Sequence, residues 1–235
     1  MLEPSVSLSL DSTALAASAA SPHRTPAIDA ETANQWTHGF GLVLSLAAAA
    51  VMLRTVVQQS DSLQIAGCIV YLLSLVALYA ASTLSHSFDD PQRRSFYRML
   101  DQVCIFLMIA GNYTPFALTH LESGPWDWIL PTMWTLVALG ITRRVRRGEG
   151  AVPFAYFALI GWLPVLTLGS VYDLSGVTGL SLVIGGGLAY TGGLWFLTND
   201  HRHPYLHAAW HLSTITGSAC HFLFVQWYVA EWPLA

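Results

Sequence analysis

From residue 36 onward the chain alternates long apolar runs with short polar breaks. The apolar runs cover about 36–57, 63–87, 97–119, 126–143, 153–172, 177–198 and 205–229, each near the roughly 20 residues that a helix needs to cross the hydrocarbon core of a bilayer. The pattern predicts an all-α integral membrane protein, a bundle of seven transmembrane helices with no soluble domain inserted between them. Gly185-Gly186-Gly187 in the sixth run and Pro115 and Pro164 in the third and fifth fit that setting. Small residues let helix backbones approach, and neighbouring helices satisfy the carbonyl that a proline frees. Residues 1–33 are rich in Ser, Ala and Thr, carry no persistent apolar stripe and read as a mobile tail ahead of a membrane domain over 34–235. Glu3 and Pro4 interrupt the apolar core that a cleaved signal peptide requires, so the first helix is expected to be its own insertion signal.

Charge gives the bundle a direction. Only 10% of the 235 residues are charged, against roughly 25% in a typical soluble domain. Lysine is absent, and the arginines fall in breaks of one parity: Arg24 in the tail, Arg93, Arg94 and Arg98 after the second run, Arg143, Arg144, Arg146 and Arg147 after the fourth, and Arg202 after the sixth. The opposite breaks hold Arg54 beside Glu122, Asp127 and Asp173. Since cytoplasmic loops retain positive charge, the N-terminus is expected in the cytoplasm and the C-terminus outside, with the chain in the cell's inner (plasma) membrane. The Arg143–Arg147 cluster is expected only to set that topology. Scattered arginines form no basic face for nucleic acid. Cys68, Cys104 and Cys220 lie in apolar runs without a CxxC pair, which argues against a disulfide framework or a thiolate metal site.

Ionisable residues inside membrane segments are costly and mark candidate functional sites. His207 and His211 have the i, i+4 spacing that puts two side chains on one helix face. His221 lies about 15 Å further along the axis and cannot share an ion with them. With the orientation above, Ser82 and His86 close the second helix, Asp101 lies about one turn into the third, and His207 and His211 open the seventh, all at one depth. Three imidazoles from two helices give zinc three ligands and an open position, the pattern of a catalytic site. Asp101 is a fourth ligand or a base that holds water; pairing with Arg98 is the plainer alternative. His38 and His221 are placed away from the ion, in interhelical hydrogen bonds, with support of the metal ligands as the weaker alternative; His201 and His203 are placed in a solvated loop, the alternative of recruiting metal being disfavoured by Pro204, which separates them from the helix. Tryptophans such as Trp126, Trp128, Trp227 and Trp232 flank the runs as interfacial anchors.

Several blocks of the chain resemble a known family. Ser82-Thr83-Leu84-Ser85-His86, then Leu100-Asp101-Gln102 with Ala110-Gly111-Asn112-Tyr113-Thr114-Pro115, then His207-Ala208-Ala209-Trp210-His211 with Ala219-Cys220-His221-Phe222 are similar to the signature blocks of the progestin and adipoQ receptors, in their bacterial hemolysin III branch. Thr37-His38-Gly39-Phe40-Gly41 also resembles that branch. The resemblance implies zinc near the cytoplasmic face held by His86, His207 and His211, with Asp101 bonded to a zinc-bound water and Ser82 supporting it. Ala208-Ala209 departs from bacterial members that carry an acidic residue after the first histidine. By resemblance to adiponectin receptors and alkaline ceramidases, the implied activity is hydrolysis of a membrane-lipid amide or ester. The alternatives are a lipid-sensing protein whose zinc is a structural clasp and, less favoured because no amphipathic pore-forming segment is evident, a cytolytic pore.

Overall fold

The computed structural model describes residues 28–58, 61–121, 124–148, 150 and 152–231, which are mostly helical with no strand among them. Residues 1–27, with Arg24, and also Glu122 and Trp232 lie outside the described residues. Helix α1 (Ala30–Val56) starts where the Asp29 side chain accepts from the Thr32 amide, so residues 30–33, read above as tail, are its first turn. After α2 (Ser62–Ser85), α3 (Pro91–His120) starts at Asp90, whose carboxylate caps the Arg93 amide at 2.9 Å, with Pro91 in the first turn. Both are favoured helix starts, and they begin α3 ahead of the apolar run. Asp101 therefore lies about three turns into the helix, not one.

The chain continues through α4 (Ile129–Arg147), α5 (Phe154–Trp162), a 3₁₀ turn at Leu163–Thr167, and α6 (Leu168–Thr198). Gly176 breaks α6 with φ 61° and ψ −157°, a left-handed φ that glycine adopts without a Cβ penalty. The chain reverses there. Trp162 Nε1 donates to Thr191 Oγ1 at 2.9 Å, and a Cβ on Gly187 would touch the Trp162 ring at 3.6 Å. A straight helix from 162 to 187 would hold those residues roughly 37 Å apart. With α7 (Leu206–Val225), the described residues form seven helical rods, broken close to where the apolar pattern breaks.

Helices Ala30–Val56, Ser62–Ser85 and Pro91–His120 and the stretch Phe154–Thr198 are long and apolar enough to cross a membrane. Large apolar side chains including Trp36, Phe40, Val43, Leu73 and Leu188 point outward, as they would toward lipid. In that solvent close packing and interhelical hydrogen bonds, rather than water exclusion, hold helices together. α2 and α3 pack backbone to backbone: a Cβ on Gly67 would come 2.8 Å from Pro115 Cα, and one on Gly111 would collide with Ser74. The Ser218 hydroxyl, on α7, lies 2.8 Å from both the Tyr79 and the Tyr190 hydroxyls, linking α2, α6 and α7. Where α7 widens into a π-turn at Gln226–Ala230, buried Gln64 donates to the Val229 carbonyl at 2.6 Å and His120 Nε2 to that of Tyr228 at 3.1 Å. Buried backbone groups need such partners.

The arginine cluster, expected only to set topology, also makes a buried contact. α4 runs through Arg147, so Arg143–Arg147 occupy its last turns rather than a loop. Arg144 is buried, and its Nε donates to Gln102 Oε1 on α3.

Candidate metal centre

Helix ends bring the three histidines together. His86 caps the C-terminus of α2, while His207 and His211 sit on successive turns at the start of α7. Ring centroids are 5.1 Å apart for His86 and His207, 5.2 Å for His86 and His211, and 4.7 Å for His207 and His211. One nitrogen from each lies within 4.8 Å of the others, a grouping that could hold a metal ion.

The hydrogen bonds behind the rings decide which nitrogen is free. His86 Nδ1 meets Glu31 Oε2 at 2.7 Å and His207 Nδ1 meets Asp200 Oδ2 at 3.1 Å. His211 Nδ1 meets the Asn34 carbonyl at 3.2 Å and Thr37 Oγ1 at 2.9 Å. Thr37 spends its own proton on the Ala33 and Asn34 carbonyls, so toward His211 it accepts. Carboxylates and carbonyls only accept, so each Nδ1 carries the hydrogen and each Nε2 keeps its lone pair. Metal-bound histidines are held in this way by partners on the far side of the ring, and the donor set fits zinc.

Asp101 and Ser82 join the cluster from α3 and α2. Ser82 hydrogen-bonds the Asp101 carboxylate and lies 2.5 Å from His38 Nδ1; a hydroxyl that gives its one proton to the carboxylate accepts from the imidazole. No ion pair joins Asp101 to Arg98 among the described residues; Ser82 takes that place.

His38 makes the interhelical hydrogen bond expected of it, to Ser82, but it lies against the cluster rather than away from it. It is buried, and its ring stacks on that of His211. Because α1 begins at Ala30, residue 38 lies about two turns in, level with His211. Sequence reasoning also missed Glu31, Asn34 and Asp200. The first two have a signal: Glu31, Asn34, Thr37 and His38 form a polar stripe at helical spacing that begins ahead of the apolar run. Asp200 lies in the loop ahead of α7, where no periodic pattern marks it.

His221 makes the interhelical bonds expected of it, to Asn112 Nδ2 at 2.5 Å and to the Val183 carbonyl at 3.0 Å. His201 and His203 are exposed. A cavity of about 1070 Å³ runs inward from His86, Asp101, His207 and His211 past Met108, Phe116, Phe157, Val171 and Phe224. Its polar end is the histidine cluster and much of the rest of its wall is apolar.

Comparison with known proteins agrees with the blocks in the sequence. Residues 27–222 match the family described as haemolysin-III related. The chain is 36% identical over 204 residues to Hemolysin-3 of Bacillus cereus, covering 85% of this chain and 91% of that protein. It is 31% identical over 209 residues to the Hemolysin-3 homolog of Bacillus subtilis (strain 168), covering 88% and 97%. The human monocyte to macrophage differentiation factor is 28% identical over 209 residues, covering 86% and 85%. No solved structure gives a significant match. This multi-pass membrane protein therefore belongs to the haemolysin-III-related family, within the progestin and adipoQ receptors whose signature blocks it carries.

Proposed function

We propose that this chain is a zinc-dependent hydrolase of a membrane-lipid amide or ester, held in the cell's plasma membrane by seven spans with its N-terminus cytoplasmic and its C-terminus outside. The observation that carries the reading is one constellation. Three histidines bring one ring nitrogen each within 4.8 Å of the others, with their Nδ1 atoms held by outer acceptors, and the Asp101 carboxylate lines the same largely apolar cavity. In this reading His86, His207 and His211 hold the ion. When bound there, zinc supplies Lewis acidity toward a lipid carbonyl and brings the pKa of water toward ~7.

The protein's own residues supply the rest. Asp101 accepts the proton of the attacking water and returns it to the leaving group, the general acid–base role. The Ser82 hydroxyl fixes the carboxylate's direction, and His38 fixes Ser82. The cavity holds acyl chain among Met108, Phe116 and Phe224 while the carbonyl meets the histidines.

Asp101→Asn tests the catalytic part. The amide keeps a hydrogen bond and loses the basicity, so zinc and fold are retained while hydrolysis of ceramide by purified protein falls about 10²–10⁴-fold. Loss of zinc would make Asp101 a ligand. Zinc retained with no lipid hydrolysis by the wild type supports the clasp reading instead, in which the ion joins α2 to α7.

A further inference from the structure

The mouth of the cavity has a second polar feature that the hydrolytic chemistry does not use. Arg98, Asp101 and Gln102 all line the cavity from α3, at spacings that place them on one helix face. Arg98 is exposed and stands near His86. None of the ion pairs among the described residues takes it. The neighbouring carboxylates are engaged elsewhere, Glu31 with His86 and Asp101 with Ser82. Gln102 has its amide oriented by a buried cation, because Arg144 Nε must meet the oxygen. That leaves the Gln102 NH₂ as the group available to a ligand. A guanidinium and an amide NH₂ one turn apart are donors only, and a guanidinium matches the paired oxygens of a phosphate.

We propose that Arg98 and Gln102 form an anion subsite for the phosphate head group of a lipid whose acyl chain occupies the apolar part of the cavity. The proposal rests on the lipid reading above and narrows its substrate class. Phosphate at the mouth, carbonyl near the histidines and hydrocarbon beyond give a lipid three separate anchors, in the order in which a phospholipid carries those groups.

The test is binding of short-chain phosphatidate and of diacylglycerol with the same chains to purified, zinc-loaded protein. Phosphatidate is expected to bind about tenfold more tightly, the effect of one charge-assisted contact. Arg98→Gln should abolish the preference and Arg98→Lys restore part of it, with zinc content unchanged in both as the check on folding. Arg146→Gln/Arg147→Gln, which removes two exposed arginines of α4, should leave the preference intact. Equal affinity for the two lipids, a preference that survives Arg98→Gln, or one lost equally in the α4 variant overturns the proposal. Displacement by inorganic phosphate as potent as by phosphatidate overturns the lipid assignment. A chain that binds no zinc yet keeps an Arg98-dependent preference retains the subsite and loses the hydrolase.

Discussion

The imidazole of His38 lies flat on that of His211, with centroids 3.5 Å apart and planes 20° from parallel. One ring belongs to α1 and the other to α7, so this contact fixes a proposed metal ligand against a helix that contributes none. His38→Phe keeps the stacking area and removes the bond to Ser82. Zinc stoichiometry should be unchanged, and lipid hydrolysis should fall about fivefold, the worth of one hydrogen bond. His38→Ala leaves a cavity against His211 and should also destabilise the fold by about 2 kcal/mol or more. Denaturation in detergent and metal analysis separate the two variants; zinc lost from His38→Phe would mean that His38 is itself a ligand.

Glu31 and Asp200 hold two of the three rings. Removing such a partner of a metal-bound histidine typically costs 10–100-fold in metal affinity. Glu31→Gln and Asp200→Asn should each show that loss in competition with a chelator, with no change in helical content. Affinity equal to wild type in both variants would show that the carboxylates are bystanders.

The sequence exposed the all-helical membrane character and singled out His86, His207 and His211, which group in the structure, with Ser82 and Asp101 lining the same cavity, because apolar runs of bilayer length constrain which polar residues share a depth. It hid what depended on helix starts. Asp29 and Asp90 cap α1 and α3 inside polar sequence, so an apolar window began both helices too late and left Glu31 outside the first. The Asp200–His207 contact spans the join between α6 and α7 and has no periodic signature. Burial of Arg144 depends on how α4 meets α3, which no local pattern carries.

Arg144→Ala should therefore behave differently from its neighbours. It leaves Gln102 Oε1 without its donor and should cost about 1–3 kcal/mol of stability, whereas exposed Arg146→Ala should fall within about 0.5 kcal/mol of wild type. Thermal unfolding in one detergent compares them; equal midpoints would show that the Arg144–Gln102 bond contributes nothing.

The proposed orientation rests on where the arginines lie. A cysteine replacing Arg146 should resist a membrane-impermeant thiol reagent added to intact cells and react after permeabilisation. Of the native cysteines, Cys68 and Cys104 are buried and Cys220 is half-buried, which keeps the background low. Labelling from outside would reverse the topology.

The claim on which the rest depends is that His86, His207 and His211 bind a metal ion, and counting metal in the purified protein tests it most directly. Elemental analysis of wild type and of the His207→Ala/His211→Ala variant, both purified without chelator, gives the answer. The expected result is about one zinc per chain in the wild type and none in the variant, with comparable helical content in both. Stoichiometric zinc in the variant, or a folded wild type that takes up no zinc when it is supplied, would contradict the site.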